Sequence, residues 1–185
     1  MDDALDKAVR VFCERGFHAT SITDLTEAME LTSGSIYKAF KDKRAVFVAA
    51  LDRQLSLRDA EFRAALDKAR SGREKLREAL MFYVSLSHGV EGRRGCMVVG
   101  TAVELATFDS EISERVVAAL QAREKLLADL IRLGQVDGSI SGAIEVRATA
   151  RCMLCLLQGL RVLGKTSPTR ADLTCLVEVA MKLLD

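Results

Sequence analysis

The segment TSGSIYKAFKDKR, from Thr32 to Arg44, combines small hydroxyl-bearing residues with a run of basic side chains. It opens with threonine, serine, glycine and serine, which are poor formers of a helix interior, although the residues after them have helical spacing. Hydroxyl and lysine side chains bind phosphate oxygens and the edges of bases. Because a helix that needed only stability would begin with better helix formers, the segment indicates a surface that a negatively charged partner approaches closely.

No other group of residues has the spacing of a catalytic or metal site. Cys152 and Cys155 form a single CxxC pair inside an apolar stretch, whereas a structural zinc site needs four ligands. His18 and His88 lie far apart, outside any HExxH or triad pattern, and no glycine-rich phosphate loop follows a strand. The sequence therefore predicts no enzyme, no cofactor and no metal site.

Two side chains leave alternatives open. Cys96 follows two arginines, which suits a redox sensor, but a buried structural cysteine fits the same position. Glu104 lies within an apolar helix, where it would either bind a polar or cationic effector or face solvent. The odd, scattered set of five cysteines is more typical of reduced core residues than of a disulfide framework.

The composition is that of an ordinary globular protein, with 49% apolar and 29% charged residues in 185. Its 27 basic and 26 acidic side chains give no general attraction for nucleic acid, so binding requires local clustering. Such a cluster lies between Ser33 and Arg44, with four basic side chains and one acidic one. The acidic N-terminus and the absence of an apolar run of bilayer length predict a cytoplasmic protein with no membrane partner.

The pattern of apolar residues predicts an all-α fold of about nine helices. There is one proline, and no segment alternates as a strand would. The expected helices are 3–15, a short one capped by Thr20 or Ser21, one capped by Thr32 or Ser33 that ends near 40, a long one from Asp42 to about 72, then 73–87, 96–106, one capped by Asp109 or Ser110 that ends before Gly138, 143–163 and 169–184. The glycine-rich segment HGVEGRRG is expected to be an exposed, mobile loop.

The third expected helix has two different faces. At 100° per residue, Tyr37 and Lys38 lie on the side of Gly34, while Ile36 and Phe40 lie opposite and can pack against the preceding helix. In a helix-turn-helix the first residues of the second helix enter the major groove, where small and hydroxyl-bearing side chains permit close approach. The segment fits that position.

The stretch ERGFHATSITDLTEAMELTSGSIYKAFKDKRAVFVAAL, Glu14 to Leu51, resembles the three-helix DNA-binding domain of the TetR family of bacterial repressors. The shared features are the Gly-aromatic pair, the Thr-Ser cap, the IY…F core and the lysine before the long helix. Two departures are Glu30, where the family usually has a turn glycine and a positive φ is expected, and the absence of a basic arm before the first helix. The resemblance implies phosphate contacts from Ser21, Tyr37 and Lys43, and base or groove contacts from Thr23, Ser33, Gly34, Ser35 and Lys38.

The resemblance also implies a division into a helix-turn-helix domain, 1–46, and an effector-binding and dimerisation domain, 47–185. The segment CMLCLLQGL is apolar on nearly every face, so the last two helices are expected to form a homodimer interface. We expect a ligand-responsive repressor that a small-molecule effector releases from a palindromic double-stranded DNA operator. The alternative is a helical ligand-binding or adaptor protein without DNA binding. Candidate effector contacts are Phe62, Phe82, Leu86, Met97, Thr101 and Met153.

Overall fold

The structure, a computed structural model, describes residues 1–185 and is all-α, with ten α-helices and no strand. The nine expected helices are present, and a tenth lies in a segment expected to be a loop. The helices are α1 Asp2–Arg15, α2 Ile22–Met29, α3 Ser33–Ala39, α4 Lys43–Leu66, α5 Gly72–Leu86, α6 Gly89–Arg94, α7 Met97–Glu104, α8 Ser110–Asp137, α9 Val146–Leu163 and α10 Arg170–Met181. Short 3₁₀ turns follow α9 and α10.

The chain forms two compact units, and it crosses between them three times, inside the long helices α4 and α8 and at the end of α6. One unit contains Met1–Arg58 with Arg94–Val117, and the other contains Asp59–Arg93 with Ala118–Asp185. The expected division at residue 46 is a division by function, whereas these units are defined by packing. The expected division therefore stays a prediction.

The first unit is built around the helix-turn-helix. Leu25 of α2 and Ile36 of α3 are fully buried with Phe47 of α4, because the apolar stripe of each helix faces the others. Phe47 lies edge-on to Phe12 and Phe17, with ring centroids 4.9 and 5.2 Å apart. Such aromatic pairs add to the burial energy and hold α1 against α4.

The second unit has its own core, formed by α5, α9, α10 and the adjoining parts of α4 and α8. Phe62, Ile131, Leu157 and Leu173 are among its fully buried side chains. No helix is both long and apolar enough to cross a bilayer.

The expectation of a mobile loop at HGVEGRRG is wrong, since residues Gly89–Arg94 form α6. Its glycines have structural roles: Gly89 has a φ of +61°, and Gly92 is buried where a Cβ would lie 2.6 Å from the Ser87 carbonyl group. Glycine content therefore indicated a loop where tertiary packing selects a short helix.

The long helix also ends sooner than expected, at Leu66. The Lys75 ammonium donates to the Leu66 carbonyl oxygen at 3.0 Å, and Ser71 and Glu74 form a capping box that begins α5. The chain therefore leaves one helix and starts the next within a few residues.

Candidate nucleic-acid interface

The first turn of α3 is exposed and is held by its own cap. Thr32 Oγ1 accepts a hydrogen bond from the Ser35 backbone N–H at 3.1 Å and lies 2.9 Å from the Ser35 hydroxyl oxygen. Ser33 and Gly34 are exposed beside this cap. A hydroxyl cap of this kind stabilises a helix by about 1 kcal/mol, so the turn forms without bulky side chains.

Gly34 has no structural reason within the protein to be glycine. A Cβ built on it would have one neighbour, Thr32 Oγ1, at the ordinary contact distance of 3.9 Å, and its φ is not positive. Glycine nevertheless costs a helix about 1 kcal/mol relative to alanine. The absence of a side chain therefore matters on the outer side, where a partner can approach the backbone.

The two expected faces of α3 are confirmed. Ile36 has no exposed surface and packs in the same core as Leu25 and Met29, whereas Tyr37 is 54% exposed. Lys38 is exposed next to Tyr37. The outer face of α3 is thus small and polar at its start and cationic near its end.

The start of α2 presents Ser21 and Thr23. Ser21 Oγ accepts from the Asp24 N–H at 3.1 Å and donates to Asp24 Oδ2 at 2.8 Å. The hydrogen bond from the Ser21 backbone N–H to the Asp24 carboxylate is the main cause that lowers the pKa of Asp24. Since the Ser21 hydroxyl proton is engaged by Asp24, a phosphate contact by Ser21 has to compete with this bond. Thr23 is exposed, and both contacts stay predictions.

The turn between α2 and α3 accommodates Glu30. This residue has φ 56° and ψ 39°, as expected for a position where the family usually has glycine. Its carboxylate lies 3.0 Å from the Lys7 ammonium, and this hydrogen bond is the main cause that raises the pKa of Lys7. The helix-turn-helix geometry therefore survives this departure, at a conformational cost of about 1 kcal/mol.

Lys43 binds the turn between α1 and α2. Its ammonium donates to the carbonyl oxygens of Phe17 at 2.9 Å and Thr20 at 2.8 Å, and it lies 4.3 Å from the centroid of the Phe17 ring. Two of its three protons are therefore committed inside the protein. The expected phosphate contact from Lys43 stays a prediction, and one ammonium proton remains available for it.

Glu104 binds the same turn from the other side. Its Oε2 and Oε1 accept from the backbone N–H groups of Phe17 at 3.0 Å and His18 at 2.7 Å. The alternative of a purely solvent-facing side chain is therefore wrong, and the alternative of an effector contact stays a prediction. The residue's place in an apolar helix was the signal in the sequence, but only the fold brings it to a turn 86 residues away.

Ion pairs reduce the free positive charge of the basic segment. Arg44 forms a bidentate pair with Asp109, at 2.6 and 2.8 Å, and a third bond to Glu111 at 2.7 Å. The Arg44 guanidinium is the main cause that lowers the pKa of Asp109 to about 2. Lys38 and Lys41 are exposed without an ion pair, and they carry the available charge.

Comparison with known proteins agrees with this geometry over nearly the whole chain. Residues 4–50 match the model of bacterial regulatory proteins of the tetR family, and residues 72–174 match the tetracyclin repressor-like C-terminal domain. The chain belongs to the TetR family.

Solved and curated TetR relatives cover the full length. A cysteine mutant of the TetR family regulator CifR, complexed with 26 bp double-strand operator DNA, is 32% identical, with a TM-score of 0.87 over 98% of this chain and 95% of that one. The transcriptional repressor ComR of Escherichia coli (strain K12) is 26% identical over 97% of this chain and 84% of its own length. FadR of Bacillus subtilis, solved with stearoyl-CoA, shares the fold at 19% identity, with a TM-score of 0.76 over 98% and 96% of the two chains. These relatives are transcriptional regulators and not enzymes.

The candidate effector contacts of this TetR protein lie in both compact units. Met97 and Thr101 are buried in the first, where Thr101 Oγ1 donates to the Met97 carbonyl oxygen at 2.6 Å. Phe62, Phe82, Leu86 and Met153 belong to the second. There Phe62 lies edge-on to Phe82 at 5.4 Å, with the Arg123 guanidinium 3.7 Å from its ring centroid. Effector binding by these residues stays a prediction.

An apolar groove runs along α9 and α10. It has a volume of about 270 Å³, and none of the candidate effector contacts line it. Leu176 and Val179 of α10 are 45% and 62% exposed along it. None of the five cysteines forms a disulfide. The expectation that they are core residues is wrong for the three exposed ones, Cys152, Cys155 and Cys175, because their helices are apolar on the outer side as well.

Proposed function

We propose that this protein is a homodimeric repressor whose paired α3 helices read a palindromic operator, and that a small-molecule effector releases it. The observation that carries the proposal is the exposed, side-chain-free start of α3 at Gly34, which nothing inside the protein requires. Such a surface lets the backbone approach the base edges and phosphates of the major groove. Lys38 and Lys41 supply charge beside it.

The contacts proposed for DNA are those that the resemblance implies. Ser33, Gly34, Ser35 and Lys38 are all exposed on one turn and a half of α3, so they can meet one groove together. Tyr37, at 54% exposure, is suited to a phosphate on the groove edge. Ser21, Thr23 and Lys43 complete the proposed set.

A second copy of this chain is the proposed occupant of the α9–α10 groove. The groove is lined by Leu156 and Leu163 of α9, by Leu176 and Val179 of α10, and by Leu183 in the 3₁₀ turn after α10, and each of these side chains is at least 36% exposed. A continuous apolar face of this kind indicates an interface. Two copies related by a two-fold axis would bury the same face twice and close a four-helix contact. Such a dimer would match a palindromic operator, because each protomer would bind one half-site.

The effector is proposed from the relatives, since one neighbour of the same fold was solved with stearoyl-CoA. An effector can release DNA only if it prefers the conformation that binds DNA poorly. The rival function, an adaptor without DNA binding, loses its support at Glu30, because the turn adopts the required positive φ.

The test is selection of binding sites from random duplexes, followed by mobility shifts of the selected DNA at several salt concentrations. The wild type should select a palindrome, and Lys38→Ala should reduce the slope of log K against log salt by about 0.9 for each of the two protomers, or about 1.8 for the dimer. Lys68→Ala removes the same charge from an exposed lysine on the second unit and should leave the slope unchanged. Selection of no common sequence would favour the adaptor.

A further inference from the structure

The turn from Gly16 to Thr20, between α1 and α2, is held by two charged side chains. The Glu104 carboxylate accepts hydrogen bonds from two of its backbone N–H groups, at 3.0 and 2.7 Å, and the Lys43 ammonium donates to two of its carbonyl oxygens, at 2.9 and 2.8 Å. Hydrogen bonds to charged groups are roughly twice as strong as neutral ones. Four charge-assisted hydrogen bonds therefore hold this turn in place.

The turn is shaped to receive Glu104. Gly16 has a φ of +78°, and a Cβ on it would lie 2.7 Å from Glu104 Oε2. Any other residue would meet both backbone strain and the carboxylate. Because Gly16, which follows α1, has no side chain, the Glu104 carboxylate can occupy the space where a Cβ would lie.

The position of this turn decides where α2 begins. Thr20 is 1% exposed, and its hydroxyl donates to the Gly16 carbonyl oxygen at 2.6 Å. Ser21, the N-cap of α2, follows directly. Because Leu25 and Met29 of α2 form the core against which α3 packs, a displaced turn shifts the recognition surface.

We propose that Glu104 is the positioning residue through which α7 holds the helix-turn-helix in its DNA-binding conformation. Glu104 is the last residue of α7 and belongs to the stretch that matches the C-terminal family domain, while the turn belongs to the N-terminal match. The two hydrogen bonds thus join the two family-defined parts inside one compact unit. The inference rests on the proposed function, because its effect is measured as operator affinity.

The test compares Glu104→Gln with Glu114→Gln in the full-length protein. The Glu104 variant keeps the size of the side chain but replaces one acceptor oxygen by an NH₂ group that faces a backbone N–H. Glu114 is exposed, has no ion pair and lies on α8 in the same unit, so it controls for the lost negative charge. Affinity for the selected palindrome is measured by fluorescence anisotropy, and exchange of the Phe17 and His18 amide protons is followed by NMR.

Glu104→Gln should lower operator affinity about tenfold relative to Glu114→Gln, because a hydrogen bond to a charged group contributes a comparable factor. The Phe17 and His18 amides should exchange faster, while amides in the α9 and α10 core keep their protection. Equal affinity for the two variants, or a loss of protection throughout the protein, would overturn the proposal. If the wild type selects no DNA sequence, the proposed function fails instead.

A double-mutant cycle supplies a second readout that a general loss of stability would not produce. Gly16→Ala should weaken operator binding more in the wild type than in Glu104→Ala, because removing the carboxylate relieves the clash and leaves only the backbone strain. Additive effects of the two changes would mean that Gly16 and Glu104 act independently, which contradicts the inference.

Discussion

The exposed face of α9 and α10 gives a direct test of the dimer through the substitution Val179→Glu. Val179 is 62% exposed in the single chain, so the substitution should leave the fold of one protomer unchanged. In a two-fold dimer both copies would carry a carboxylate into the apolar groove. Burial of a polar group without a partner costs at least about 2 kcal/mol, and two copies therefore cost about 4 kcal/mol. The dimer dissociation constant should rise about a thousandfold.

Val136→Glu is the matched control. Val136 lies near the end of α8, outside the groove, and is 86% exposed, so the same chemical change should have no effect on assembly. The assay is sedimentation equilibrium over a range of protein concentrations, with circular dichroism to confirm that both variants are folded. A Val179→Glu protein with the wild-type dissociation constant would refute the interface, and dissociation of both variants would show that the effect is not specific to α9 and α10.

The effect of Val179→Glu on the dimer can also be measured through its affinity for DNA. A dissociated protomer can occupy one half-site only, so Val179→Glu should bind a full palindrome no better than an isolated half-site at concentrations below the new dissociation constant.

Two predictions concern stability. Gly72→Ala should destabilise the protein by about 3 kcal/mol in urea unfolding, because its Cβ would lie 2.2 Å from the Gly134 nitrogen on α8, whereas Gly100→Ala meets nothing within 4 Å and should stabilise α7 by about 0.5–1 kcal/mol. Equal effects of the two alanines would contradict this packing. The pKa of Asp109 is lowered from 3.8 to about 2 by Arg44, so the folded state gains stability above pH 3.8 and loses it as the pH falls towards 2. Unfolding midpoints measured across that range should therefore change less for Asp109→Asn than for the wild type.

Local sequence was sufficient for most of the helices and for the outer surface of α3. Caps such as Ser21 and Thr32 act within three residues, and apolar spacing places Ile36 inside and Tyr37 outside whatever the rest of the chain does. The positive φ of Glu30 was expected from the family resemblance, because the family usually has glycine at this position. The exposed apolar face of α9 and α10 was readable for the same reason, since it is a property of single helices.

Sequence alone was insufficient where a residue's role depends on a distant partner. Glycines at 89 and 92 indicated a loop, but Gly92 packs on Ser87 in a short helix. Two of the four basic residues between Ser33 and Arg44 proved to be engaged inside the protein, Lys43 by carbonyl oxygens and Arg44 by carboxylates. No local pattern shows which cations are free.

The sequence by itself determined most of the helices, several of their caps and the small, cationic face of α3, because these depend on backbone preferences and side-chain periodicity within a few residues. Only the tertiary structure decided how the α1–α2 turn is held, since Glu104 reaches it across 86 residues and Lys43 across 23. Such bonds form after the helices have packed, and their partners are backbone groups that every residue possesses. The sequence therefore does not indicate that Glu104 and Lys43 bind this turn, and only the fold brings these atoms together.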